Sequence, residues 1–196
     1  MLSVVVLISG SGSNLRALLE ATSRDDADFR IVGVGADNDA AGLNHAREFG
    51  VPTFVVSPTD FESREQWATA LLAEVQAFNA DLVVLAGFMR ILPGLFVNAL
   101  TPHLINMHPA LLPLYPGAHA VRDALADGAA VTGATVHIVD EGVDTGPVIS
   151  QVEVDVEPTD TEETLHERIK VVERDLIVTT VTAIARSQVN LEEIAR

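Results

Sequence analysis

Near the start of the chain an unbroken β-branched run, Ser3–Ser9 (SVVVLIS), stops at Gly10-Ser11-Gly12 and is followed by Leu15, Leu18 and Leu19 at helical spacing. A run that is apolar at every position reads as a strand buried on both faces, and the spacing that follows reads as a helix over Leu15–Ala21. The alternation repeats. Ile31–Ala36 is a second strand, and Ala41–Phe49 a helix closed by Gly50 at C′. Pro52–Val56 is a third strand. Ser63–Phe78 is an amphipathic helix with Trp67, Leu71, Val75 and Phe78 on one face, opened by a capping box with Ser63 as N-cap and Gln66 at N3. Leu82–Ala86 and Leu104–Met107 are the fourth and fifth strands. The segments Val131–Val139 and Pro147–Val154 are joined by Asp140–Gly146, which is too short for a helical crossover, so they read as an antiparallel pair. Thr161–Arg186 closes the chain as a long helix, with Asp160 or Thr161 as cap and Glu162 and Glu163 in the first turn. Alternation of this kind specifies an α/β fold: an open, mostly parallel twisted sheet with helices on both faces, Rossmann-like, with a C-terminal antiparallel pair and a long helix. One domain over 1–196 accommodates all of it.

Composition narrows the function classes. With 48% hydrophobic and 20% charged residues the chain can bury a core. Lys and Arg number 12 against 28 Asp and Glu, a net charge of −16, which argues against nucleic acid and against an anionic membrane surface. The absence of cysteine excludes disulfides, thiolate catalysis and Cys-ligated metal. No signal peptide and no long apolar span is read, so the expected location is cytoplasmic. No His/carboxylate cluster has metal-ligand spacing, and no metal is expected.

Four segments carry candidate chemistry. In Asn106-Met107-His108-Pro109 an amide and an imidazole lie two residues apart before a proline. On an extended chain they share a face, and Pro109 ends the strand there. They would project from the carboxyl end of a strand, where open α/β sheets bind ligands, and together could polarise a carbonyl and move a proton. The plain alternative is a solvated Asn and a core His. The turn Ser9–Asn14 offers free amides at a helix start, a phosphate cradle. Leu15 stands where a dinucleotide fingerprint needs its third glycine, and no Gly-Lys-Ser/Thr of a P-loop follows. The alternative is an ordinary turn capped by Asn or Ser. The loop Asp140–Gly146 could bring Asp144 to His108 and raise the imidazole pKa. It could also be a solvated acidic turn, and its spacing does not fit a calcium loop. Gly87–Pro93 follows the fourth strand and suits a flat heterocycle, or else packs under the next helix. His45 and His166 read as surface residues, His103 as a loop residue and His137 as structural. His119 takes no role.

At this point the residues match a family. ISGSGSNL (8–15), VVLAGFMRIL (83–92), INMHPALLPLYPG (105–117) and GATVHIVDEGVDTGPVISQ (133–151) together resemble the folate-dependent formyltransferases over Val4 to about Leu176. Tyr115–His119 resembles the glycinamide ribonucleotide branch rather than the methionyl-tRNA branch. The resemblance implies formyl transfer from 10-formyltetrahydrofolate to glycinamide ribonucleotide, within purine biosynthesis. It implies that Asn106, His108 and Asp144 are catalytic. Gly12, Ser13 and Asn14 would hold the phosphate, and Lys170, Val171, Val172 and Glu173 the ribonucleotide. Folate would contact Arg64, Met89, Arg90, Ile91, Leu92 and Asn106, and the loop residues Asp140, Glu141, Gly142, Val143 and Asp144. The partners are then small molecules, with a homodimer possible. Arg174 stands where the family commonly has His, and Leu114 and Val121 replace more polar residues. The readings kept beside this one are formyltetrahydrofolate hydrolysis and a non-catalytic phosphate-sugar binding module.

Overall fold

The computed structural model describes residues 1–24 and 26–196. Seven strands form one sheet in the order β3-β2-β1-β4-β5-β6-β7. They are β1 (Leu2–Ile8), β2 (Phe29–Ala36), β3 (Thr53–Val55), β4 (Leu82–Leu85), β5 (Leu104–His108), β6 (Val131–Ile138) and β7 (Val148–Asp155). β1 to β5 run parallel, whereas β6 pairs antiparallel with both β5 and β7. The helices are α1 (Ser13–Thr22), α2 (Leu43–Glu48), α3 (Arg64–Ala77), α4 (Gly94–Leu100), α5 (Ala120–Ala126), α6 (Glu162–Ala185) and α7 (Leu191–Ile194).

Strand alternation divides the core. Val4, Val6 and Ile8 of β1 pack with Leu15, Leu18 and Leu19 of α1 and with Leu165, Ile169 and Ile177 of α6. Val5 and Leu7 face the other way, onto Trp67, Leu71 and Val75 of α3 and Phe96 of α4. A strand buried on both sides has no room for polar residues, so the SVVVLIS run is unbroken. Each fully buried Leu or Ile contributes about 1.5–3 kcal/mol relative to exposure.

Some boundaries differ from the sequence reading. α1 begins at Ser13 rather than Leu15, because Gly12 takes a left-handed φ of 72° and lets the helix start directly on the turn. β2 begins at Phe29, and α2 shortens to Leu43–Glu48. At α3 only half of the capping box forms. Ser63 accepts from Gln66 N at 3.2 Å, but the Gln66 side chain accepts from Glu62 N rather than from Ser63 N. Thr161 caps α6, with Thr164 returning the bond. The short helices α4, α5 and α7, at most seven residues long, had no readable periodic signal. Among the described residues no helix is long and apolar enough to cross a membrane.

Candidate active site

The order 3-2-1-4-5 puts a topological switch point between β1 and β4, and the crevice there lies outside the carboxyl ends of the strands. A cleft of about 190 Å³ opens at that edge. Its walls are Phe88–Leu92 after β4, Asn106–Pro109 at the end of β5, Gly117 and Ala118, His137 of β6, and Val139, Asp140 and Gly142–Asp144 after β6.

Asn106 and His108 share one face of β5, as their spacing requires, and Asp144 reaches both. His108 Nδ1 lies 3.3 Å from Asp144 Oδ2, and Asn106 Nδ2 lies 3.4 Å from Asp144 Oδ1. The carboxylate is aimed by its backbone. Asp144 sits at φ 55°, and Gly117 N donates to Oδ2 at 2.7 Å. His108 Nε2 faces the Tyr115 carbonyl at 2.8 Å, an acceptor only, so the neutral ring carries its proton on Nε2 and leaves Nδ1 basic.

His137 corrects the sequence reading. It is buried, as a structural residue would be, but it also belongs to this cluster. Antiparallel pairing places it opposite Asn106. Its Nδ1 donates to the Ile138 carbonyl at 2.9 Å, and its Nε2 accepts from Asn106 Nδ2 at 3.1 Å and lies 3.4 Å from Asp144 Oδ1. The register with β5 was needed to find it. The floor beneath is held by Thr135. This buried hydroxyl donates to the Ala110 carbonyl at 2.6 Å and accepts from Leu112 N at 3.1 Å and Gln151 Nε2 at 2.9 Å, fixing the segment after Pro109.

The expectation that His108 would titrate high is also corrected. Burial pushes its pKa down, and the neighbouring Asp144 and the Tyr115 carbonyl only partly restore it. Burial pushes Asp144 up. The close contact with His137, the hydrogen bond from Gly117 N and the neighbouring His108 ring outweigh this and leave the carboxyl below its ordinary value.

The glycine turn lies beside the cleft. Among the described residues no side chain caps α1, so the reading of Ser or Asn as an ordinary cap fails and the first-turn amides stay open to a ligand. Gly42, unremarked in the sequence, packs on the turn. Its N donates to the Gly10 carbonyl at 3.0 Å, and a Cβ there would lie 2.7 Å from Ile8 Cδ1. Asn14 turns inward, where Nδ2 donates to Glu173 Oε2 at 3.3 Å and the buried Oδ1 has no partner among the described residues. Burial pushes Glu173 up, against the hydrogen bond from Asn14 and the charges of Lys170 and Arg174.

Not every predicted residue faces the site. Met89, Arg90, Ile91, Leu92, Asp140, Gly142 and Val143 line the cleft. Glu141 instead turns to α4, where its Oε1 accepts from Asn98 Nδ2 at 2.6 Å. Arg64 donates to the Ile91 carbonyl and braces the loop from outside the lining. On α6, Lys170 lies one turn from Glu173 and pairs with Glu167 at 2.6 Å. Val172 packs on the core and Val171 faces solvent. Asp140 closes its own loop by accepting from Gly142 N and Thr145 Oγ1. Among the described residues no group of three or more His, Cys, Asp or Glu is placed to hold a metal.

The sequence pattern of the formyl transferase family matches residues 2–181. The chain is 52% identical over 182 residues to phosphoribosylglycinamide formyltransferase of Mycobacterium tuberculosis (strain CDC 1551 / Oshkosh), covering 93% of this chain and 84% of that protein. To the enzyme of the same name from Escherichia coli (strain K12) it is 38% identical over 193 residues, covering 98% and 91%. The crystal structure of glycinamide ribonucleotide transformylase 1 from Symbiobacterium toebii superposes with a TM-score of 0.92 at 40% identity, over 95% of this chain and 89% of that one.

Proposed function

This chain belongs to the formyl transferase family, and we propose that it transfers the formyl group of 10-formyltetrahydrofolate to the amine of 5-phosphoribosylglycinamide, a step of purine biosynthesis. The observation that carries this reading is the cluster of Asn106, His108, His137 and Asp144 on the floor of an apolar cleft, beside an uncapped helix start. A flat pterin suits the walls formed by Met89–Leu92, Asp140 and Gly142–Asp144, and a phosphate suits Gly12, Ser13 and Asn14. Glu173 would meet the ribonucleotide from α6, supported by its contact with Asn14 of the glycine turn, with Lys170 one turn away. One formyltransferase domain over 1–196 does the work with small-molecule partners and no metal.

The chemistry follows from the placement. The neutral amine attacks the formyl carbon, a C–N bond forms, and the carbonyl oxygen becomes an oxyanion. Asn106 keeps one N–H on His137 Nε2. Its second N–H makes only a 3.4 Å contact to Asp144 and is free to swing to the oxyanion. His108 Nδ1 takes the proton shed by the attacking nitrogen, and Asp144 Oδ2 stabilises the imidazolium as it forms. The same proton then passes to the departing folate nitrogen as its C–N bond breaks. No covalent enzyme intermediate arises.

The test is a product assay with and without the ribonucleotide. Formylated ribonucleotide with little free formate supports transfer. Formate released equally in both arms would make the protein a hydrolase, and no turnover with retained ribonucleotide binding would make it a binding module.

A further inference from the structure

A buried carboxylate lies just outside the cluster described so far. Asp37, at the end of β2, is 2% exposed. Its Oδ2 accepts from Arg90 Nε, and its Oδ1 accepts from Asn38 Nδ2 at 2.9 Å. Asn38 Nδ2 also donates to the Ser9 carbonyl at 3.0 Å, and Ser9 Oγ accepts from Met89 N at 2.8 Å. These bonds close a ring through the carboxyl ends of β1, β2 and β4. The ring joins the glycine turn to the loop that walls the cleft.

Arg90 is the only Lys or Arg among the described residues lining that cleft. Its side chain is about half exposed, at 51%, although its partner is almost wholly removed from water. Nε is the atom committed to Asp37. The two terminal nitrogens make no hydrogen bond to described residues and keep their donors for a ligand. A guanidinium can pair along one edge and present another, which an ammonium cannot do. In a protein of net charge −16 an anionic ligand needs such local donors, held in place before it arrives.

We infer that Asp37 is a positioning residue for the folate co-substrate: it fixes Arg90 so that the free edge of the guanidinium meets a carboxylate of that ligand, and it locks this edge to the phosphate turn through Asn38 and Ser9. The inference rests on the reading of the cleft as the folate site. Asp37 itself touches no substrate.

The experiment is calorimetric titration of tetrahydrofolate and of glycinamide ribonucleotide into the wild type, Asp37→Asn, Arg90→Ala, Arg90→Lys and the Asp37→Asn/Arg90→Ala pair, with Tm and steady-state rates measured alongside. Asp37→Asn should weaken tetrahydrofolate about tenfold, with ribonucleotide affinity and kcat each within about threefold of wild type. Arg90→Lys should weaken tetrahydrofolate by a similar factor, because an ammonium paired with Asp37 presents no second edge. In the Arg90→Ala background Asp37→Asn should cost nothing further, because the residue acts through Arg90. Additive losses, unchanged tetrahydrofolate affinity, or equal loss of both ligands with a fall in Tm would overturn the positioning role. Failure of the wild type to bind tetrahydrofolate would instead overturn the folate reading, and this inference with it.

Discussion

At the scale of single residues, His108 and Asn106 carry the chemistry, and both face a cleft. His108→Ala and Asn106→Ala should each lower turnover about 10²-fold or more while the protein still folds. Near-normal turnover in either purified variant would remove the mechanism. Asp144 opposes the burial that pushes His108 down, so Asp144→Asn should move the His108 pKa lower still. The sign for stability follows. With the folded pKa below the ordinary 6.5, the unfolded chain takes the proton first, and stability is lost as pH falls through 6.5 toward the folded value. The variant extends that loss to lower pH. Following the His108 ring by NMR titration checks the shift; an unchanged or higher midpoint means the two groups are not coupled.

At the scale of elements, the contact between α1 and α6 is the informative one. Leu165, Ile169, Leu176, Ile177 and Val181 make the buried stripe of α6, and Glu173 sits on that stripe, 6% exposed. Burial raises its pKa, so the folded protein keeps that proton longer than the unfolded chain does. Stability therefore falls as pH rises from the ordinary 4.5 through the raised folded value. Glu173→Gln removes this penalty. It should raise Tm at pH 8, by about 2–4 °C per kcal/mol relieved, and the gain should vanish below the ordinary carboxyl pKa. The same variant should bind the ribonucleotide less well. Thermal scans across pH test it, and a lower Tm at pH 8 would show that the charge is held favourably. At the start of α1, facing α2, Gly12 holds φ 72°, and a Cβ there would lie 3.0 Å from Gly42 Cα. Gly12→Val should strain the turn and raise the ribonucleotide KM at least tenfold, leaving tetrahydrofolate affinity within about threefold. Intact ribonucleotide affinity in calorimetry would move the phosphate elsewhere.

For the whole molecule, the net charge of −16 works against a phosphorylated substrate at long range, while amides of the α1 turn act only on contact. Screening removes the first effect more than the second. Raising ionic strength from about 10 mM to about 150 mM should lower the ribonucleotide KM about two- to threefold as the Debye length shrinks. Initial rates at several salt concentrations check it. A rising KM would mean that attraction by Arg90, Lys170 or Arg174 dominates the approach.

The sequence by itself determined the alternation of strands and helices, the antiparallel turn after Asp140 and the pairing of Asn106 with His108, because each is written in local periodicity or spacing. The Rossmann-like sheet, the glycine turn and the strand-end site follow from those signals. Tertiary structure alone decided what depends on register and burial. His137 entered the site because β6 runs antiparallel beside β5, and His108 titrates low because the fold takes it from water. Glu141 left the cleft because Asn98 of α4 is within its reach. Asp37 met Arg90 only because β2 and β4 flank β1, across 53 residues of chain. Spacing along a strand sets which side chains share a face; which faces meet, and how much water they keep, is set only when the sheet is assembled.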